Sequence, residues 1–556
     1  MRNSTFKYTL IISLLSLSIL TQAQDKKTET PPSKEENTLT EEIEVIRPYK
    51  PVLADAVKIR RNPNMDNQKP FKPVLSYSII DKKLELNSNI KELQAQKMED
   101  EGAPLLSHNF AKLGAGNFNT AQGELYINSG RDQALQTGAY FKHLSQQGNL
   151  PQQKLSNQEM GVFGRTIADS YTVTGNLKYD RRSFFFYGFD PTFSVLTDIS
   201  KQRNNTISAD AEIISNYSAS PILNYAANVK AYQFSTLTDA KESSVILNGF
   251  LSRDLNSFNI GLNASADLTS TKDVSYKIAN NLIKVNPYLN FKGDNYNLKL
   301  GANIVQELGT NTRLNLFPSV SAEFAVLPGY ANIFAKVNGD VLKTSIREIA
   351  LENPFLNENL GLKNSLERMN VEAGVNGNVG AAFGYKIMAS YKKIDNMLLL
   401  VNNPTKINRF DVIFDQGKST VLGLEGEINV KASDVFEISG KAQIFNYNLA
   451  SESEAWFKPS LRLISNAKAQ VNQKLFINAE VLFQGETSAK VSSGSVGFKA
   501  STLKSFIDLS AGGEYKVNQK IGVYLRANNL FGQSYQRYLF YPNMGITIFG
   551  GVNYSF

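Results

Sequence analysis

The sequence predicts an all-β chain: a transmembrane antiparallel β-barrel of about 22 strands, preceded by a short extended segment on the periplasmic side. Three observations lead there. Segments of about ten to fourteen residues alternate in polarity, short and long connections alternate between them, and the last strand ends on an aromatic. That strand carries Met544, Ile546, Ile548, Val552, Tyr554 and Phe556 on one face and Gly545, Thr547, Gly551, Asn553 and Ser555 on the other. A long strand closing on an aromatic is a sorting pattern of outer-membrane barrels. Tyr554 and Phe556 are therefore the expected sorting signal, read by the barrel-assembly machinery during insertion into outer-membrane lipid.

At the amino terminus, Arg2 and Lys7 precede an apolar run from Tyr8 to Leu20 and the small-residue pattern Thr21-Gln22-Ala23. Residues 1–24 read as a cleaved secretory signal, with Gln24 at the mature start. The run is short for a membrane anchor, and no later stretch reaches the roughly 18 apolar residues of a helical span. With no cysteine in the chain, neither lipid acylation at the cleavage site nor a disulfide framework is expected. An exported chain without helical spans can still cross a membrane if its strands close into a barrel that pairs every backbone group.

Composition is consistent with this class. The 556 residues include 37 glycines, 24 tyrosines and 33 phenylalanines, which suits many strands with aromatic girdles. A mean hydropathy of −0.26 is no objection, because only alternate residues face lipid. The formal charge of +8 is spread along the chain among 51 acidic residues, so no nucleic-acid partner is expected.

Residues 25–104 form a charged, proline-containing segment assigned to the periplasm. Asp25 to Asn37 is rich in Lys, Glu and Pro, the composition of a disordered stretch. Thr40 to Ile46, with Ile43 and Val45 on one side, is β-prone. Next to it Arg47-Pro48-Tyr49-Lys50-Pro51-Val52-Leu53 recurs as Lys69-Pro70-Phe71-Lys72-Pro73-Val74-Leu75, an offset of 22 residues. The spaced prolines favour extended chain, and each copy sets an aromatic beside cations. The two copies are a candidate docking element for a periplasmic partner, a tether entering the lumen, or a stiff spacer.

From about residue 105 to 556 the alternation runs strand after strand. Leu422, Leu424, Ile428 and Val430 oppose Glu425, Glu427 and Asn429; Phe436, Ile438, Ala442 and Ile444 oppose Glu437, Ser439, Lys441 and Gln443. Leu475, Ile477, Ala479, Val481 and Phe483 oppose Asn478 and Glu480; Ile521, Val523, Leu525 and Ala527 oppose Tyr524, Arg526 and Asn528. With Phe556 periplasmic, every second connection counted backwards must be short. They fall at 517–520, 471–474, 432–434, 377–380, 327–329, 292–295, 253–256, 216–221, 167–170 and 129–133. The alternate set includes longer stretches at 183–203, 345–364, 396–419 and 487–503. This gives about 22 strands, or 16 to 20 if the weakest hairpins merge. A soluble sandwich or propeller explains neither the parity nor the terminal aromatic.

Chemistry is sparse. The two histidines, His108 and His143, sit in no nucleophile context, so no catalytic, metal or cofactor site is expected, and the chain does not read as an enzyme. Glu425, Glu427, Glu437, Lys441, Glu480, Asp508, Glu514 and Arg526 are candidate lumen residues, lining an ion path or keeping the interior polar. The aromatic clusters at 184–189 and 535–541 fall at outer strand ends, where they either anchor in the membrane interface or grip a ligand or neighbouring protein.

Three stretches near the end, Phe506 to Tyr515, Leu525-Arg-Ala-Asn-Asn-Leu-Phe-Gly-Gln-Ser-Tyr535 and Tyr541-Pro-Asn-Met-Gly545 with the closing strand, resemble the end of TonB-dependent receptor barrels of Bacteroidota. Glu352-Asn-Pro-Phe-Leu356 followed by Glu367 is similar too, and His108 to Thr120 looks like a first barrel strand of that group. The resemblance covers residues 105–556 and implies an outer-membrane transporter or channel component, porin-like in having a lumen. It also implies that Thr40 to Ile46 resembles a TonB box, pairing with an energy-transducing partner by strand addition, with a surface lipoprotein as a further possible partner. Only the roughly 80 residues from 25 to 104 precede the barrel, fewer than the globular plug such receptors carry, so the usual plug is expected to be missing. That departure raises the alternative of a non-transporting accessory subunit, docking periplasmic proteins through its amino-terminal segment.

Overall fold

The computed structural model describes residues 109–556 except 130–133, 190–198, 217–222, 256–257, 311 and 493–496. The leader, the Thr40–Ile46 stretch and both proline-containing copies lie outside the described residues.

In chain order the strands are β1 (Asn109–Gly116), β2 (Thr120–Asn128), β3 (Leu135–Gln147), β4 (Lys154–Ile167), β5 (Tyr171–Phe185), β6 (Lys201–Ser215), β7 (Leu223–Thr236) and β8 (Lys241–Leu255). They continue as β9 (Phe258–Lys272), β10 (Lys277–Lys292), β11 (Tyr296–Gly309), β12 (Arg313–Leu327) and β13 (Ala331–Leu342). Helix α1 (Ile346–Glu352) leads into β14 (Ser365–Val379), β15 (Phe383–Asn402), β16 (Phe410–Ser433), β17 (Phe436–Asn448), β18 (Leu461–Gln470) and β19 (Leu475–Gln484). A hairpin of β20 (Thr487–Ser492) and β21 (Phe498–Leu503) precedes β22 (Phe506–Lys516) and β23 (Ile521–Asn528). A second small hairpin, β24 (Gln536–Tyr538) and β25 (Tyr541–Pro542), precedes β26 (Thr547–Ser555).

Omitting the two hairpins, 22 strands form one sheet. Each pairs antiparallel with its predecessor, and β26 closes on β1 with Phe110 opposite Ser555 and Leu113 opposite Val552. At the seam Asn109 and Phe556 exchange both backbone hydrogen bonds at 3.0 Å. Closure leaves no sheet edge, which is what permits a β-structure to sit in hydrocarbon. The chain is a closed, 22-stranded antiparallel β-barrel. Among the described residues no helix is long and apolar enough to cross a membrane.

The side-chain period of two sorts the faces. Leu422, Leu424 and Ile428 are exposed on the outside, while Glu425 and Glu427 take the opposite face. In β26, Ile548, Val552 and Tyr554 are exposed, as is Phe556 just after it, and Thr547, Phe549 and Asn553 are buried. The Tyr554 and Phe556 rings stack at 5.5 Å.

The short connections occur where the parity requires them, with small shifts. β8 and β14 run on to Leu255 and Val379, so the turns expected at 253–256 and 377–380 begin later than the sequence indicates. Two of the long connections need correction. The stretch 396–419 is mostly strand: β15 reaches Asn402, β16 starts at Phe410, and seven residues, 403–409, connect them. The stretch 487–503 is the β20–β21 hairpin. Both project beyond the membrane-crossing length, and Leu399, Val401 and Phe410 of the first and Ala489 and Leu503 of the second are buried there, while Phe498 is exposed.

Candidate functional site at the outer mouth

The connection between β13 and β14 folds inward because the barrel wall supplies carboxylates to hold it. Ser345 caps α1, its Oγ accepting from Glu348 N–H at 3.3 Å. The same hydroxyl donates to Glu242 of β8 at 2.5 Å, and Ile346 N–H donates to the other Glu242 oxygen at 3.0 Å. Thr271 Oγ1 (3.0 Å) and Tyr232 OH (2.9 Å) complete the shell around this fully buried group. A carboxylate at a helix start is stabilised by the free N–H groups there. Beside it, Asp267 of β9 pairs with Lys343 and accepts from Thr269 Oγ1 at 2.8 Å. Glu307 of β11 accepts from Arg313 (3.0 Å), Asn315 (3.1 Å) and Asn364 (3.1 Å). Three acids on three strands thus tie down both ends of one connection.

Apolar packing then carries this connection across the opening. Ile346, Ile349, Ala350, Leu356 and Leu360 join a buried cluster with Phe234 of β7, Leu400 of β15, Phe410 and Val412 of β16, and Tyr538 and Tyr541 from the segment before β26. Strands stand about 4.8 Å apart, so β7, β15 and β26, seven or eight positions apart in the ring, are too distant for side chains on or next to them to meet along the wall. They meet over the lumen, and the outer segments form a lid.

Aromatic rings lie at the lid's centre. Phe355 stacks on Tyr541 at 3.6 Å and 18°, and Tyr187 meets Tyr541 edge-on at 4.9 Å. Phe410 contacts Phe457 and Tyr538 at 5.4 and 5.5 Å. Such pairs add about 1 kcal/mol each beyond area burial. The polar tips are satisfied by backbone: Tyr541 OH donates to Asn408 O, Tyr538 OH to Glu352 O at 2.6 Å, and Tyr187 OH to Pro542 O at 3.1 Å. Asn408 Nδ2 donates to Phe186 O at 2.9 Å, and Arg409 pairs with Glu358 at 2.6 Å. Burial pushes the hydroxyls of Tyr187, Tyr538 and Tyr541 above their ordinary pKa. Each phenol therefore stays neutral and able to donate.

A second anchor holds the segment after β17. Asp415 accepts from Ala450 N–H (2.7 Å), Ser451 N–H (2.7 Å), Glu452 N–H (2.8 Å) and Ser419 Oγ (2.5 Å). Trp456, the single tryptophan of the chain, is buried on Leu399 and Val401, and donates Nε1–H to Glu452 at 2.8 Å.

The aromatic segments 184–189 and 535–541 are therefore not a membrane girdle. Phe184, Phe186, Tyr538 and Tyr541 are buried in or beside the lid, and of these segments Phe189 is exposed. Sequence reasoning missed Glu242, Asp267, Glu307, Lys343 and Ser345. The one available signal was that Glu242 and Glu307 stand on strands where most residues are apolar, polar neutral or cationic.

The candidate lumen residues fall into separate small groups. Lys441 bridges Glu425 (2.9 Å) and Glu427 (2.7 Å) across β16 and β17, and Gln443 donates to Glu425 at 2.7 Å. Arg526 approaches Glu480 at 3.9 Å. Asp508 accepts from Tyr535 OH at 2.6 Å and from Asn529 N–H at 3.1 Å, which links it to the outer segment before β26 and not to the other acids. Glu437 stands opposite Lys431 and Lys468, and Glu514 opposite Phe476 and Tyr524. The docking candidates Ile43, Val45, Arg47, Pro48, Tyr49, Lys50, Pro51, Lys69, Pro70, Phe71, Lys72 and Pro73 lie outside the described residues. His143 is hydrogen-bonded to Gln158 and Ser145, and among the described residues no cluster of three acidic or histidine side chains could hold a metal.

No protein-family model matches the chain, and no curated protein sequence resembles it significantly. Its fold does match solved structures. The FrpB iron transporter from Neisseria meningitidis superposes with a TM-score of 0.64 at 11% identity over 82% of each chain. The ferric-catecholate import receptor Fiu from E. coli K12, in its closed form, gives 0.63 at 11% identity over 82% of each chain. The P. aeruginosa receptor FpvA bound to a ferric pyoverdine gives 0.61 at 13% identity, over 81% of this chain and 71% of that one. At these identities the likeness is one of fold.

Proposed function

We propose that this protein is an outer-membrane transporter of the TonB-dependent receptor kind, whose outer segments form a gate over the barrel. The observation that carries the reading is the aromatic cluster: Phe355, Tyr187 and Tyr541 come from three separate connections and meet over the mouth. Between its two carboxylate-anchored ends the lid is held by side-chain stacking, the Arg409–Glu358 pair and one short backbone bridge of Leu356 with Phe410, so it opens without breaking any of the pairs that close the 22-stranded sheet, which suits a gate better than a structural plug. Iron transporters and ferric-siderophore receptors are among the proteins that share the fold, so a ferric chelate is the first cargo to try.

In this reading Ile43 and Val45 add as a strand to a TonB-type partner, and an ordinary plug is missing, so the lid is the main barrier. The test is conductance of the full chain in planar bilayers. Wild-type protein should remain closed, while the Phe355→Ala, Tyr541→Ala double variant should open frequently to a large pore. An unchanged closed trace in that variant, with normal barrel assembly, overturns the gate.

The repeated Arg47–Leu53 and Lys69–Leu75 copies favour a second reading, that of an accessory subunit docking periplasmic proteins. Affinity purification with and without residues 47–75 separates the two. Recovery of identical partners from both forms removes the docking role.

A further inference from the structure

The outward face of one half of the barrel carries a basic row that neither the gate nor the lumen uses. Cross-strand partners run without a break from β3 to β10: His143–Gln158–Arg181–Asn205–Ser235–Lys241–Lys272–Lys277. Each residue stands directly opposite the next. The inward neighbours Glu242 and Thr271 are buried and bound to the lid, so Lys241, Lys272 and Lys277 point away from the lumen and are exposed. Arg203 lies on the same face, opposite Ser183, with Lys201 at the rim.

The row contains cations and neutral hydrogen-bonding groups, and no acid. Lys272 has Lys241 opposite it on one side and Lys277 on the other. Like charges directly opposite destabilise a sheet. Among the described residues neither these lysines nor Arg181 and Arg203 have an acidic partner, whereas on the other half of the barrel Arg368 is paired with Asp395.

Two residues further into the membrane, about 7 Å along the strands, the β3–β6 part of this face turns apolar, while β7 to β9 carry Gln233, Ser243 and Ser270 at that level. Phe141, Met160, Tyr179 and Ile207 are successive cross-strand partners there, and Phe141, Met160 and Ile207 are exposed. Between the two rows lies a recess of about 250 Å³ lined by Arg181, Ser183 and Lys201 on its polar side and by Phe141, Met160 and Tyr179 on its apolar side. Beside it Arg181 Nε, Arg203 Nε and Ser183 Oγ are buried without hydrogen-bond partners, an arrangement that costs free energy unless an acceptor arrives.

We propose that this face binds the phosphorylated headgroup of an outer-leaflet glycolipid. One anionic group enters the recess at Arg181 and Lys201, with Arg203 beside it, and a second, two strands or about 10 Å from Arg203, neutralises the Lys241–Lys272–Lys277 row. The apolar row below Arg181, formed by Phe141, Met160, Tyr179 and Ile207, accounts for a lipid and not a free phosphate, because it receives the acyl chains of the same molecule. Guanidinium supplies paired donors to phosphate oxygens, and the lysines act as point charges.

The test uses the full-length protein in detergent, native mass spectrometry, and two probes: a bis-phosphorylated lipid A and the same lipid enzymatically dephosphorylated. Wild type should retain the phosphorylated form, even against a large excess of inorganic phosphate. At about 1 kcal/mol per surface cation, the combined Lys241→Gln, Lys272→Gln, Lys277→Gln variant should bind about a hundredfold more weakly. Arg181→Gln with Arg203→Gln should also weaken binding, and Lys272→Arg should preserve it. Heat-modifiable electrophoretic mobility verifies that each variant forms a barrel. Equal retention of the dephosphorylated lipid, equal retention by the triple variant, or displacement by inorganic phosphate would each overturn the assignment.

Discussion

In the membrane band β16 alternates strictly, with Leu422, Leu424 and Ile428 outside and Glu425 and Glu427 inside, whereas above the rim β15 reads Met397-Leu398-Leu399-Leu400-Val401 with no alternation. The two stretches belong to the same hairpin, 422–428 pairing with 385–391 of β15 and 397–401 with 411–415 of β16. The lower one has water on one side and lipid on the other. In the upper one Leu398 and Leu400 pack into the lid while Leu399 and Val401 pack on Trp456, so both faces are covered by protein. A strand buried on both faces has no reason to alternate. The same difference separates their polar groups. In the membrane band Glu425 and Lys441 form a partly exposed ion pair, whereas among the outer anchors Glu242, Glu307 and Asp415 are almost fully buried, Glu242 inside a complete set of donors.

That contrast can be broken first at Glu242. Glu242→Ala leaves Ser345 Oγ, Tyr232 OH and the start of α1 without their acceptor, a loss of about 4 kcal/mol confined to the lid. Hydrogen exchange should rise over residues 343–364 and stay unchanged in 418–433; protection lost equally in both would show that lid and band fold as one unit. In the band, Leu424→Arg should destabilise the barrel by about 3 kcal/mol when folded into bilayers, and far less in a polar detergent. A similar cost in both media would mean that this face does not meet lipid.

A smaller, reversible effect should come from pH. Folded pKa values of Tyr187, Tyr538 and Tyr541 are raised, so their contribution to closure is complete below the ordinary tyrosine value of about 10 and is lost as pH rises through the folded values. Channel opening should increase reversibly in strongly alkaline buffer, and the Phe355→Ala, Tyr541→Ala variant should lack most of that dependence. The least change is expected from Lys441→Ala, about 1 kcal/mol in urea unfolding, because its partners remain partly solvated. A loss as large as that of Glu242→Ala would place the Glu425–Lys441 group among the buried anchors.

The barrel was largely legible because each membrane-crossing segment repeats one local rule. Residues 421–430 state their faces without reference to any other part of the chain, and the tight turn at 517–520 is read from Asn518 and its neighbours. The lid was legible only as material. The apolar run at 397–401 and the aromatic runs at 184–189 and 535–541 were visible, but not the fact that they meet. Glu242 was unreadable as an anchor for a different reason: its partners Ser345 and Ile346 are more than a hundred residues away.

By itself the sequence determined the fold class, the parity of the connections and the face of each membrane-crossing residue, since these follow from a period of two and a low-dielectric surround that forbids unpaired backbone. Only the tertiary structure decided what closes the mouth and where the outward cations gather. Both depend on register summed over many strands: one residue of slip in β8 would turn Glu242 away from Ser345, and one in β8 or β9 would break the Lys241–Lys272–Lys277 row, while leaving the alternating pattern of each strand intact.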